Sequence, residues 1–243
     1  MKNLLLLAAL IIPLLVVAGF IVSDTSKAKD SAITFYETPL VCAAAPEIGC
    51  GSRAKPALIT LEKNPAVKEA WLNRAGTIIG IVWKGQAQTE KVAKPILEEN
   101  NIKFTELSGE NAIAHKKDFR KSNAWFRSAD VDVLSREEAT TIAANSVKYA
   151  LENKLISQEE AEKIKKDIEA YFKVELVKIR TNEQLNEDSQ HKFMEAMYRI
   201  SEKHIGKERT EKAMELYFEN CEEGTIKDAA CEHPGSKKSC CNK

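Results

Sequence analysis

Most of the reactive chemistry in this 243-residue chain sits on its six cysteines. Cys42 and Cys50 stand with seven residues between them, near the start of a small-residue stretch, Val41-Cys-Ala-Ala-Ala-Pro-Glu-Ile-Gly-Cys-Gly-Ser-Arg-Ala-Lys-Pro56. Cys221, Cys231, Cys240 and Cys241 fall near the C-terminus, with His233 among them. A thiolate is both a soft-metal ligand and a nucleophile, and its pKa falls beside a helix N-terminus or a positive charge. The pattern promises Cys50 both influences: a helix opens just after it, and Arg53 and Lys55 follow. Gly49 and Gly51 allow tight turns and the close approach of a ligand. Two thiolates suit Cu(I), Hg(II) or Zn(II). The bland alternative is a Cys42–Cys50 disulfide that pins the loop.

The tail pattern, Cys231-x-His233 followed by Cys240-Cys241, fits no standard zinc-finger spacing. Vicinal thiols do bind soft metals, and a mobile tail would raise the local concentration of ligands near the loop. An equal reading is a tail whose thiols pair with one another. His115, His191 and His204 are assigned no role.

Lysine plus arginine and aspartate plus glutamate both number 36, so no global charge argues for nucleic acid. Residues 1–23 read as a secretory signal or an N-terminal membrane anchor, because Leu4 to Val22 carries no charge and follows Lys2. At about 1.5 Å rise per residue that run is long enough to span the hydrocarbon layer. Val16-Val-Ala18 and Ser26-Lys-Ala28 offer small-x-small cleavage sites. Either way the rest of the chain is expected on the extracytoplasmic (periplasmic) side, tethered to the inner membrane or secreted after cleavage. Disulfides are the default fate of cysteines there. Catalytic fingerprints such as Gly-x-Ser-x-Gly, His-Glu-x-x-His, the phosphate loop and the dinucleotide loop are missing, so no enzyme is expected. The nearest enzymatic reading is a thiol-disulfide oxidoreductase, from Cys50-Gly-Ser-Arg before a proline-bearing helix, and it lacks the second cysteine at the required place.

The elements that must position Cys42 and Cys50 follow from periodicity. After a polar linker at 24–31, Ala32 to Val41 reads as a first strand. Pro56 to Glu62 reads as a helix stopped by Asn64-Pro65. Val67 to Arg74 and Thr77 to Trp83 read as a hairpin turned at Ala75-Gly76. Thr89 to Asn100 is a second helix and Ile102 to Leu107 a closing strand. The order strand-helix-strand-strand-helix-strand is the ferredoxin-like split arrangement.

On these residues the segment 32–108 resembles a heavy-metal-associated domain, the small fold of mercuric-ion-binding proteins, copper chaperones and metal-pumping ATPases. The matching features are a cysteine loop, a helix ending Leu61-Glu-x-x-Pro65-x-Val67, a strand containing Glu69-Ala-x-Leu-Asn73, then Gly76-Thr77 and an alternating Ile/Val strand. The resemblance implies two loop cysteines holding a soft metal. The family spaces them two residues apart. Here Cys50 takes the place of the family cysteine at the helix start, Ser52 or Arg53 stands where its partner belongs, and Cys42 must substitute.

Residues 109–134 read as a connector in which Phe119, Trp125 and Phe126 dock the first domain on the second. In 135–221, Ser135-x-x-Glu138, Ser157-x-x-Glu160 and Thr181-x-x-Gln184 read as capping boxes that start helices. Apolar stripes such as Ala139, Ile142, Ala143, Val147 and Ala150 make this an antiparallel helical bundle, expected to serve as a scaffold or as a surface for an envelope protein partner. Residues 222–243 form a flexible, cysteine-rich tail. The class expected is α+β, and the function is a soft-metal-binding chaperone, scavenger or sensor with ligands from Cys42, Cys50, Cys231, His233, Cys240 and Cys241. The alternative is an envelope interaction module with a structural disulfide.

Overall fold

The computed structural model describes residues 32–42 and 44–223, apart from the side chains of 219–223. The apolar run at 4–22 and the tail residues Cys231, His233, Cys240 and Cys241 lie outside the described residues. Among the described residues, no helix is long and apolar enough to cross a membrane.

The chain combines a five-stranded antiparallel sheet with seven helices among the described residues. β1 (Ile33–Glu37), β4 (Val67–Asn73), β5 (Ile78–Trp83), β6 (Thr105–Leu107) and β7 (Trp125–Arg127) lie in the order β6-β1-β5-β4-β7. β5 is buried along its whole length, as expected of an uninterrupted apolar run in the middle of a sheet. β4 alternates instead, burying Val67, Ala70 and Leu72 on one face while Trp71 is half-buried on the other.

Two expected boundaries shift. The first strand stops at Glu37, and the chain then forms a separate two-stranded ribbon from β2 (Val41–Cys42) and β3 (Ala45–Gly49). The helix α1 runs from Gly51 to Lys63, a turn and a half earlier than Pro56, with the proline inside it. Thr89–Ala93 forms a π-helical turn that leads into α2 (Lys94–Glu99).

The connector is structured. Gly109–Asp118 forms α3, and Trp125 and Phe126 enter the sheet as β7 beside β4. The two aromatics then part company. Trp125 joins Phe35 and Ile78 under Phe119 on one face of the sheet, while Phe126 enters the main core on the other. Phe119 meets Phe35, Trp71 and Trp125 edge-on, with ring centroids 5.0 to 5.9 Å apart.

The main core continues without a break from Tyr36 to Tyr217, so α1 and the C-terminal helices share one apolar interior. Those helices are α4 (Val131–Glu152), α5 (Gln158–Lys178), α6 (Glu187–Ile205) and α7 (Lys207–Glu223). α4 packs against α5, α7 and α1, and the stripe Ala139, Ile142, Ala143, Val147 and Ala150 faces inward. Ser157 and Glu160 form the expected capping box, and Thr181 and Gln184 form another at a 3₁₀ turn (Asn182–Leu185). Ser135 does not start a helix. α4 begins at Val131, which leaves Ser135 and Glu138 buried in its interior.

One ionic contact ties α1 to this helical layer. Lys55 is fully buried, and its ammonium meets the Asp132 carboxylate at 2.6 Å and the carbonyls of Leu176 and Val177 at 3.0 and 3.4 Å. Its three donors therefore meet three acceptors, two of them orphan carbonyls at the end of α5. Burial lowers the Lys55 pKa against the pull of Asp132, and Asp132, held by Arg180 as well, sits below the usual carboxylate range despite its own partial burial. Lys55→Met keeps the stem but leaves the two carbonyls and half of the Asp132 pairing unmatched. We expect it to cost about 3 kcal/mol of unfolding free energy in urea titrations, whereas Lys163→Met, at an exposed pair with Glu159, should leave the midpoint in place.

Candidate functional site

The local chain path explains how cysteines so far apart in sequence can meet. β2 and β3 fold back with Val41 opposite Gly49 and Cys42 opposite Ala45, across a bulge. The N–H of Cys50 then bonds to the carbonyl of Leu40 at 2.7 Å. The ribbon is fastened below to the β4–β5 turn, where Gly49 N–H donates to the Arg74 carbonyl and Leu40 N–H to the Gly76 carbonyl. Gly76 has φ +73°, and a Cβ there would lie 2.1 Å from the Leu40 carbonyl oxygen. Only glycine fits such an approach.

Helix α4 closes the site from above. Ser135, Glu138, Ile142 and Asn145 recur at helical spacing, and this face lies against the ribbon and the start of α1. Asn145 donates to the Ala44 carbonyl at 3.0 Å, and Gly51 N–H donates to Oε2 of Glu138 at 3.0 Å. A Cβ on Gly51 would sit 2.7 Å from the Ser135 hydroxyl, and one on Gly49 would sit 2.6 Å from the Gly76 nitrogen. The glycines flanking Cys50 thus admit the protein's own backbone and α4, where the spacing had suggested an approaching ligand.

The result is a cluster of three ionisable groups. The sulfurs of Cys42 and Cys50 and a carboxylate oxygen of Glu138 all lie within 4.8 Å of one another. Both cysteines are free thiols. Cys42 and Glu138 are buried, Glu138 at 1% exposure, whereas Cys50 is half-buried at the N-cap of α1. Ser52 brings its hydroxyl to 3.3 Å from the Cys50 sulfur.

The three groups divide their protons unequally. A hydrogen bond from the Cys42 thiol, outweighing burial and helped by the Ser52 hydroxyl and Glu138, pulls Cys50 down to about 5. The same hydrogen bond, together with burial, pushes Cys42 well above the ordinary thiol range. Burial, reinforced by the Cys50 thiolate, raises Glu138 far above a normal carboxyl. At neutral pH Cys50 is therefore the thiolate of the pair, while Cys42 keeps its proton. The cations expected to lower Cys50 turn elsewhere: Lys55 toward Asp132 and the end of α5, and Arg53 toward the Asn101 carbonyl at 3.4 Å.

Of the expected ligands, Cys42 and Cys50 come together, and Cys231, His233, Cys240 and Cys241 lie outside the described residues. Cys221 falls on α7, too near its end for its side chain to be described. Glu138 is the candidate site residue that the sequence reading placed in another role. Its signal was its phase: it falls one residue before Ala139 and four before Ile142, on the buried stripe, where a capping glutamate has no place. Among the histidines, His204 bonds to Asp167 at 2.9 Å, far from this cluster in the chain, and His115 meets the Phe35 ring.

Because the Cys50 pKa is lowered, its thiolate persists above about pH 5 and is lost as pH falls through that value. In the reduced, metal-free protein, the rate of alkylation at Cys50 should be flat through neutrality and fall about tenfold per unit below the inflection, with Cys42 unreactive. Cys42→Ala removes the donated hydrogen bond and should move the inflection upward. A wild-type profile rising only through about pH 8.5, as for a free cysteine, would refute the charge assignment. Comparison with known protein families, with curated proteins and with solved structures finds no match, so these side chains alone carry the functional reading.

Proposed function

We propose that this is a soft-metal-binding protein that holds its cargo through the thiolates of Cys42 and Cys50 and passes it on by ligand exchange, without catalysing bond cleavage. The observation that carries this reading is the convergence of two free sulfurs and a carboxylate within 4.8 Å at the start of α1. A metal-binding site needs converging deprotonatable donors, a partly open approach and a supporting shell. Cys50 supplies a standing thiolate and the less buried side, and Ser52, Gly51 and Asn145 supply the shell.

The same reading takes residues 32–108 as a ferredoxin-like, heavy-metal-associated-like domain. The order β6-β1-β5-β4, with α1 and α2 as the crossovers, supports that topology, and β7 would be an addition at its edge. Residues 135–221 would be the antiparallel helical bundle, acting as a scaffold or as a surface for an envelope partner. The leader at 1–23 would put the site outside the cytoplasm. The tail thiols at Cys231, Cys240 and Cys241, with His233, would receive or deliver the metal.

One observation favours thiol-disulfide exchange as a second reading: the two cysteines carry opposite pKa shifts, as a nucleophilic and a resolving thiol do. A plain structural disulfide is the bland form of the same proximity.

The deciding measurement is native mass spectrometry of the reduced full-length protein in detergent with Cu(I), Hg(II) or Zn(II). The expected result is a one-metal adduct that disappears in Cys42→Ser/Cys50→Ser. A wild-type protein that takes up no metal after reduction, and instead exchanges disulfides with a small-molecule disulfide, would replace the metal reading with the redox one.

A further inference from the structure

Glu138 gives the site a property that two thiolates alone would lack. It comes from α4, outside the segment 32–108, and its position is fixed. Oε2 accepts the Gly51 N–H at 3.0 Å, and a carboxylate oxygen lies within 4.8 Å of both sulfurs. No salt bridge reaches Glu138 among the described residues, and the buried ammonium of Lys55 is engaged by Asp132 and two carbonyls. One turn earlier on α4, the Ser135 hydroxyl is fully buried, has no hydrogen-bond partner and lies against Gly51. The start of α1 thus has unmet polar demand beyond the sulfurs. A buried carboxyl with no cation beside it is costly unless it stays protonated or meets a metal.

Resting on the thiolate reading above, we propose that Glu138 is the third ligand and that the cargo is a borderline divalent cation of the Zn(II) class, not Cu(I). Ligand chemistry supports this, since two thiolates satisfy Cu(I), which has little affinity for a carboxylate, whereas Zn(II) takes sulfur and oxygen together. Bonds of about 2.3 Å to sulfur and 2.0–2.2 Å to oxygen put tetrahedral donors roughly 3.5–3.8 Å apart. With every pair already within 4.8 Å, the cluster reaches this by closing no more than about 1.3 Å. Three protein ligands also leave a fourth position open, and an incoming thiolate can begin exchange there on the half-exposed Cys50 side.

The test compares chelator-competition affinities for Zn(II) and Cu(I) in the reduced full-length protein, in Glu138→Gln, and in Cys42→Ser/Cys50→Ser. Glutamine keeps an oxygen to accept the Gly51 N–H and removes the anionic ligand. We expect Glu138→Gln to weaken Zn(II) binding at least about tenfold and to change Cu(I) binding by no more than about twofold, while the double cysteine variant loses both. Zn(II) affinity unchanged in Glu138→Gln but lost in the cysteine variant overturns the role of Glu138 and leaves the thiolate reading standing. A cysteine variant that binds like wild type overturns both. If Glu138→Gln fails to fold, Glu138→Met, close in volume and without an oxygen donor, is read the same way: Zn(II) binding weakened with Cu(I) binding kept supports the proposal, and both unchanged overturns it.

Discussion

The arrangement depends on a buried carboxyl group accepting the first free N–H of a helix. A helix start has orphan donors and a partial positive charge, and both favour an acceptor at that place. In α1 the N-cap residue is Cys50, whose sulfur is a weak acceptor, so the acceptor comes from another helix as Oε2 of Glu138. Burying a full carboxylate beside a thiolate would be prohibitive. Burial accordingly pushes Glu138, and the hydrogen bond to Cys50 together with burial pushes Cys42, toward their protonated forms, while hydrogen bonds from the Cys42 thiol and the Ser52 hydroxyl pull Cys50 toward the thiolate. Proton distribution here follows from burial and hydrogen bonding, with no nearby cation required.

The same helix pair is joined again close by. Asp132 and Glu138 lie six residues apart on α4, and they engage α1 through Lys55 and Gly51, four residues apart on that helix. Two polar contacts between one pair of helices fix rotation and axial position together, which apolar packing alone does less well. Asn145 extends the grip to the ribbon at Ala44. Glu138 rides on α4 while the sulfurs belong to the ribbon and to the start of α1, so a shift of that helix would move Glu138 relative to both sulfurs at once.

Much of the sheet was readable from the sequence because its signals are local. β4, β5 and their turn follow from alternation and Ala75-Gly76, and the end of α1 follows from Asn64-Pro65. The stripe on α4 and the capping box at Ser157 were readable for the same reason. What escaped is non-local or ambiguous. The early start of α1 at Gly51 is a weak local signal, since two glycines and a proline argue against a helix that packing on β4 and α4 nonetheless sustains. Ser135-x-x-Glu138 satisfies the capping pattern, but Val131 and Leu134 upstream are fully buried and draw the helix back past it. The cation expected to tune Cys50 was misplaced because spacing along a helix cannot say that Lys55 faces α5.

The wide cysteine spacing is a consequence of the ribbon. A two-residue spacing lets one turn of loop present both sulfurs, so such a site can be complete within its own small domain. Here Cys42 returns to Cys50 only because β2 and β3 pair, and that pairing is held by the β4–β5 turn on one side and α4 on the other. Anything that separates α4 from α1 also removes Glu138 from Gly51 and leaves the ribbon fastened at the β4–β5 turn alone. The geometry of the cluster and the docking of α4 on α1 thus share one set of contacts, so a displacement of the C-terminal helices alters the cluster without touching a sulfur.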